Sequence, residues 1–387
     1  MFRRLALILA LSLAAAAVAA SASRDADSAA KRSSAPRMLV GFYDDAQVYG
    51  NTTWAFTQLR ALRAGIVRAT LDWGAVARRR PVKPADPADP AYNWTVVDRM
   101  IDEADKRNIR VMLAIYGTPR WAGRARNRLP RRANDLRLFA TAAALRYSGT
   151  YTVQPEENEP ERTLPAVRHW LAWNEPNNPV FLRPQWKMVQ RKWRVQAAYD
   201  YAKICGAVWS GVHATRLAGE KVACGVTGPR GNDAPRSKRP STSPLLFMTW
   251  LRRAGLRRMD AYAHHPYYGH RSEKPTTKSR SPKAVTLGNI GSLITRVNRL
   301  WGRRTRVWIT EYGYQTNPPD RLFGVSYRNQ ARYMQQAMAM ARRNRRIDMF
   351  VWFLIRDEGR LSGWQSGVVT RRGARKPSFR AFQRARR

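Results

Sequence analysis

The chain has 387 residues, 44% of them hydrophobic and 10% aromatic, which is enough apolar mass for one large core and unlike a disordered protein. Two cysteines without zinc spacing exclude a disulfide-built scaffold and give a metal site no support. The 70 Lys and Arg against 27 Asp and Glu leave a formal net charge of +43, but these cations are scattered and accompany no nucleic-acid motif, so an anionic cell wall or polysaccharide is the more natural partner than a specific nucleic acid.

At the N-terminus, Arg3 and Arg4 precede an apolar run from Leu5 to Ala20, and small residues follow at Ala20-Ser21-Ala22. Residues 1–22 read as a secretory signal, since the run falls short of the roughly 18 or more apolar residues a membrane span needs. Residues 23–36, rich in Ser, Ala and charge, read as a disordered leader. Residues 37–387 then form the catalytic domain of an exported protein, expected to be monomeric and free of the membrane once the signal is cleaved.

Short apolar or β-branched runs recur down that domain, near Met38–Tyr43, Ile66–Leu71, Ile109–Ile115, His169–Trp173, Lys221–Thr227, Asp260–His264, Thr305–Thr310 and Asp348–Leu354. Amphipathic stretches separate them. One runs from Thr95 to Arg107, with Val96, Val97, Met100, Ile101 and Ala104 on one face, and another from Asn134 to Tyr147, stopping at Gly149. Eight strands alternating with helices predict an α/β fold, a single-domain (β/α)8 TIM barrel. Strand starts are spaced more widely than the roughly 31 residues per unit of a 250-residue barrel, and the excess is expected in long loops after strands three and four. An open doubly wound sheet would carry a Gly-rich phosphate loop after its first strand, and Gly41-Phe42-Tyr43-Asp44-Asp45 is not one. This barrel places Cys205 on the helix after strand four and Cys224 on strand five; a disulfide and two buried thiols both stay open.

Active sites of such barrels lie where strands end and loops begin. Strand four ends in Trp173-Asn174-Glu175-Pro176-Asn177 and strand seven in Trp308-Ile309-Thr310-Glu311-Tyr312-Gly313. Both put a glutamate at an apolar strand's end, on opposite sides of the mouth. Glycosidic cleavage needs such a pair, one acid to protonate the leaving oxygen and one carboxylate to attack the anomeric carbon.

With these motifs the sequence resembles clan A of the glycoside hydrolases, and is similar to the cellulase-like family 5 and the xylosidase-like family 39 from Leu39 to Phe382. The resemblance implies a retaining β-glycoside hydrolase without cofactor, acting on β-linked oligo- or polysaccharide through a covalent glycosyl-enzyme. It makes Glu175 the acid/base and Glu311 the nucleophile. It also implies that Arg68 lies against the nucleophile, that Asn174 binds the sugar 2-hydroxyl, that His265 faces the site with Tyr267 donating to Glu311, and that Trp352 floors the sugar site. A one-residue slip of strand six would instead turn His264 inward. Where family 5 usually has a histidine after strand three, this chain has Tyr116-Gly117-Thr118-Pro119-Arg120-Trp121, closer to family 39, with Tyr116 in the histidine's place. Trp73, Trp121, Trp186 and Trp364 are further candidates for sugar subsites. Two other functions compete: a carbohydrate-binding pseudoenzyme on the same barrel, and a basic binder of anionic polymers, cell wall or nucleic acid.

Overall fold

In a computed structural model of the protein, residues 38–153 and 161–385 are described; the signal and leader segments lie outside them. Eight strands form where the sequence places them: β1 (Leu39–Tyr43), β2 (Ile66–Asp72), β3 (Arg110–Tyr116), β4 (His169–Ala172), β5 (Lys221–Thr227), β6 (Ala261–His264), β7 (Arg306–Tyr312) and β8 (Ile347–Phe353). All pair in parallel, and β8 returns to β1 to close the barrel. Because successive side chains point to opposite faces of a strand, each strand fills two layers at once. Ile66, Met112, Leu171, Val226, Trp308, Met349 and Val351 fill the inside, and Ala114, Ala223, Ala261 and Ala263 leave room for the larger of them. Outward residues such as Leu113 and Ile115 are buried under the helices.

The helix Thr95–Asp105 buries Val97, Met100, Ile101 and Ala104. Val96, expected on the same face, is 47% exposed; its neighbour Asp98 takes the buried place and bonds Arg146 and Tyr147. Helix Ala133–Arg146 packs closely on helix Gln196–His213 at Gly211, where any Cβ would meet the Arg137 carbonyl at 2.2 Å. Cys205, on that second helix, is disulfide-bonded to Cys224 on β5, with Cα atoms 5.9 Å apart. The helix Pro377–Ala385 closes the chain, its Phe382 ring 4.5 Å from Phe42 of β1.

Loops at the C-terminal strand ends wall the mouth. The loop after β4 is long, as expected, and holds a small hairpin of Lys187–Val189 and Lys192–Arg194. The stretch 117–165 is interrupted by the helix Ala133–Arg146. Long loops also follow β5, to the helix Pro244–Arg253, and β6, to the short turn Leu287–Asn289. Among the described residues no helix is long and apolar enough to cross a membrane.

Candidate active site

Two backbone irregularities aim the glutamates. Against β8, Ile309 pairs with Phe350 and Tyr312 with Trp352, so Thr310 and Glu311 together oppose the single residue Val351. This bulge breaks the period of two and lets both Thr310 and Glu311 reach the mouth. After β4, Trp173 and Glu175 have φ of 72° and 32°, in the left-handed region that non-glycine residues rarely adopt. The surroundings hold them there: the Trp173 indole donates to the Phe181 carbonyl at 2.7 Å, and Asn177, fully buried, accepts from the Gly228 amide and donates to the Thr242 carbonyl. Strained backbone of this kind clusters at functional sites.

Arg68 points inward from β2 and is completely buried. Its Nη1 donates to Glu311 Oε1 (2.7 Å) and the Thr310 carbonyl (3.0 Å), its Nη2 to Asn174 Oδ1 (2.8 Å), and the guanidinium lies 4.1 Å over the Tyr43 ring. The Tyr267 hydroxyl donates to Glu311 Oε2 at 3.1 Å. Burial, and then the charges of Glu311 and Glu175, hold the Tyr267 phenol well above its ordinary pKa, so it stays a donor. Glu311 therefore has both oxygens engaged, one by a buried cation.

Glu175 is held without a direct cation contact. Its Oε2 accepts from Asn178 Nδ2 (3.1 Å) and its Oε1 lies 3.0 Å from His265 Nδ1. Burial raises the Glu175 pKa above the ordinary carboxylate value, against the opposing Asn178 bond and the charges of Arg68 and Arg230. A carboxylate oxygen of each glutamate and His265 Nδ1 lie within 4.8 Å of one another. These three residues are the one group among those described with metal-ligand spacing, but Arg68 already supplies the positive charge that Glu311 faces.

His265 faces the site and His264 faces away, its Nδ1 near the Thr227 hydroxyl and its Nε2 near the Val285 carbonyl. Burial drives the His265 pKa down to about 3, so the ring is neutral at ordinary pH. Its Nε2 sits 3.3 Å from Arg68 Nη1 and 3.0 Å from the Thr310 hydroxyl. Because a guanidinium can only donate, the ring proton belongs on Nδ1, where it is donated to Glu175.

Two expected positions differ. Trp352 is fully buried behind the barrel; its indole donates to the Ser366 carbonyl at 2.9 Å and its ring meets Tyr312. Strand alternation sends Met349 and Val351 inward, and with them Phe353, whose ring lies 5.3 Å from Tyr43 and 5.4 Å from Trp364. Phe353 thus occupies the mouth position assigned to Trp352. Tyr116 lies at the end of β3, but its ring packs on Trp173 at 4.8 Å and under the Arg126 guanidinium at 5.0 Å, and no hydrogen bond joins it to either glutamate among the described residues. Of the four further tryptophans, Trp364 borders this cluster, 5.3 Å from Tyr267, whereas Trp73 is buried against Trp121 and Phe139.

Sequence reasoning missed Tyr43, Asn178, Gly228, Thr310 and Phe353. A Cβ on Gly228 would stand 2.9 Å from Glu175 Cδ, so this glycine makes room for the carboxyl group. The Asn178 position beside the motif was a readable signal; the others depend on bulges and loop paths.

A family model described as glycosyl hydrolase catalytic core matches residues 249–382, a stretch that includes Glu311 but not Glu175. No curated protein sequence matches the chain. Among solved structures, it is similar to a family 39 glycoside hydrolase from the gut symbiont Bacteroides cellulosilyticus WH2, with a TM-score of 0.63 and 17% identity over 90% of this chain; it spans 63% of that protein, less than two thirds. It is also similar to a GH5_18 protein from Streptomyces cattleya (TM-score 0.54, 16% identity, 91% of this chain and 80% of the other). A family 1 β-glucosidase from Thermotoga maritima matches at a TM-score of 0.56 and 11% identity, over 90% and 97% of the two chains. The chain is a (β/α)8 barrel of the kind clan A glycoside hydrolases share, and its C-terminal part matches a glycosyl hydrolase catalytic core.

Proposed function

We propose that the protein is a secreted retaining β-glycoside hydrolase, with Glu311 as nucleophile and Glu175 as general acid/base. The observation that carries this reading is the glutamate pair, with oxygens within 4.8 Å across the mouth and unlike surroundings. Retaining enzymes hold their carboxyls about 5–5.5 Å apart, whereas inverters leave about 6.5–9.5 Å for a water. The Arg68 ion pair favours an ionised Glu311, and burial favours a protonated Glu175.

In the first step Glu311 forms a bond to the anomeric carbon as the glycosidic C–O bond breaks, and Glu175 gives its proton to the departing oxygen. In the second, Glu175 takes a proton from water, the water oxygen bonds to the anomeric carbon, and Glu311 leaves. Asn174 Oδ1 is occupied by Arg68, so its amide N–H groups are the ones turned toward the 2-hydroxyl. The first step requires protonated Glu175 and weakens as pH rises through that group's raised pKa. Export is supported by the pattern of residues 1–22 and by the Cys205–Cys224 bond. The charge of +43 supports electrostatic association with an anionic wall.

Azide separates the two glutamates' roles. With an activated aryl β-glycoside, Glu175→Ala forms the glycosyl-enzyme without needing an acid, and azide then attacks it to give a β-glycosyl azide. In Glu311→Ala azide enters from the opposite face and gives the α-azide. The same anomer from both variants, read by NMR, would overturn the assignment.

A further inference from the structure

The two ends of the mouth differ in charge, and the position of the acid decides which end receives the leaving group. If Glu175 protonates the departing oxygen, as the glycosidase reading on which this inference rests requires, the leaving group lies on the Glu175 side. On the Glu311 side stand Arg68, Tyr43, Phe353 and Trp364, next to a cavity of 490 Å³ lined by Asp44, Asp45 and Glu358 as well as Arg356 and Arg371. That aromatic end suits a neutral sugar, whose C–H face meets rings.

The chain that touches Glu175 runs the other way. Gly228 abuts the carboxyl, and two residues later Arg230 is, with Arg68, one of the two cations whose charge bears on Glu175. Arg230 Nη2 donates to the Tyr268 carbonyl, which ties the loop after β5 to the loop after β6. Between these loops opens a cavity of 860 Å³ lined by Arg230, Asn232, His270, Lys278 and Arg280, with serine hydroxyls between them. Lys278 and Arg280 have no ion-pair partner among the described residues. The single carboxylate in the lining, Glu273, is turned to the Gly269 amide at 2.7 Å.

We propose that this cavity is the leaving-group subsite and that it selects leaving groups bearing an oxyanion, as on an acidic sugar. Arg230, two residues from the glycine that abuts the acid and tied to the loop that carries Tyr267, is the lining cation linked to the catalytic pair, and Lys278 and Arg280 line the same cavity.

The test uses umbelliferyl β-glucosides and β-xylosides in matched pairs, one with a methyl group and one with a carboxymethyl group on the coumarin, so that the departing phenols are alike and only the anion differs. A sulfomethyl partner distinguishes carboxylate from sulfonate recognition. The wild-type kcat/KM favours the anionic member about tenfold at low salt, as expected for one charge-assisted hydrogen bond, and the preference shrinks as salt is raised. Arg230→Gln with Lys278→Gln and Arg280→Gln brings the ratio near one, while Arg380→Gln with Arg384→Gln, on the C-terminal helix, leaves it intact. A ratio lost equally in both variants would assign the preference to net charge and overturn a local subsite. Calorimetric titration of the same pairs into Glu311→Ala reads the preference without turnover. Hydrolysis of neither member would count against the glycosidase reading alone; equal binding and equal turnover of both would overturn the anionic subsite.

Discussion

Replacing Gly228 by Ala puts the proposed acid/base role of Glu175 under the most direct strain. The added Cβ would stand 2.9 Å from Glu175 Cδ and 3.0 and 3.1 Å from its oxygens, while ordinary contact begins near 3.4 Å. Gly228 does not have positive φ, so Ala fits the backbone, and its N–H still reaches Asn177. The carboxyl must therefore retreat by about 0.5 Å, which stretches its bonds to His265 or Asn178. If a misplacement of about 1 Å costs roughly 100-fold, half of that costs about tenfold, and it falls on proton donation alone. The assay compares kcat/KM for an alkyl β-glycoside, whose leaving oxygen needs a proton, with that for a dinitrophenyl glycoside, whose leaving group does not. The alkyl substrate should lose about tenfold or more, and the dinitrophenyl substrate about twofold at most. Equal losses would show that the substitution disturbs the whole site, and no loss in either would refute the role given to the Gly228 contact.

Trp352→Phe should lower the unfolding midpoint, since it removes a buried indole and its bond to Ser366, yet leave KM within about twofold; Phe353→Ala should raise KM severalfold, and the reverse pattern would return Trp352 to the sugar site. His264 is buried neutral, with its pKa lowered by burial to about 3, while the unfolded chain protonates it near 6.5. Its contribution to stability is thus complete above pH 6.5 and is lost as pH falls toward 3, by about 3 kcal/mol at pH 4. His264→Gln should therefore lose less stability than wild type between pH 7 and 4 in urea titrations, and identical losses would contradict a buried neutral ring. Replacing Cys205 and Cys224 together by Ala, which opens a loop of sequence separation 19, should cost about 3 kcal/mol of unfolding free energy, and an unchanged value would speak against a stabilising bond.

Much of this architecture was legible locally. Eight apolar runs of strand length, the helices between them and the glutamates at the ends of β4 and β7 all follow from patterns that a stretch of chain carries in itself, because burial on both faces of a parallel strand leaves a continuous apolar signature. Arg68, on β2, and Tyr267, just after β6, were picked out by the family resemblance rather than by any local pattern. What the chain does between strands was not legible. Whether Trp352 or Phe353 faces the mouth depends on the phase of strand alternation, and whether Glu311 does depends on a bulge against β8 that no single strand encodes. The disulfide, the room that Gly228 leaves for Glu175 and the basic cavity between the loops after β5 and β6 each bring together residues from separate segments. Sequence by itself determined the barrel and the identity of its acidic pair. Only tertiary structure decided their surroundings, because pairing register and loop path are set by contacts among distant parts of the chain.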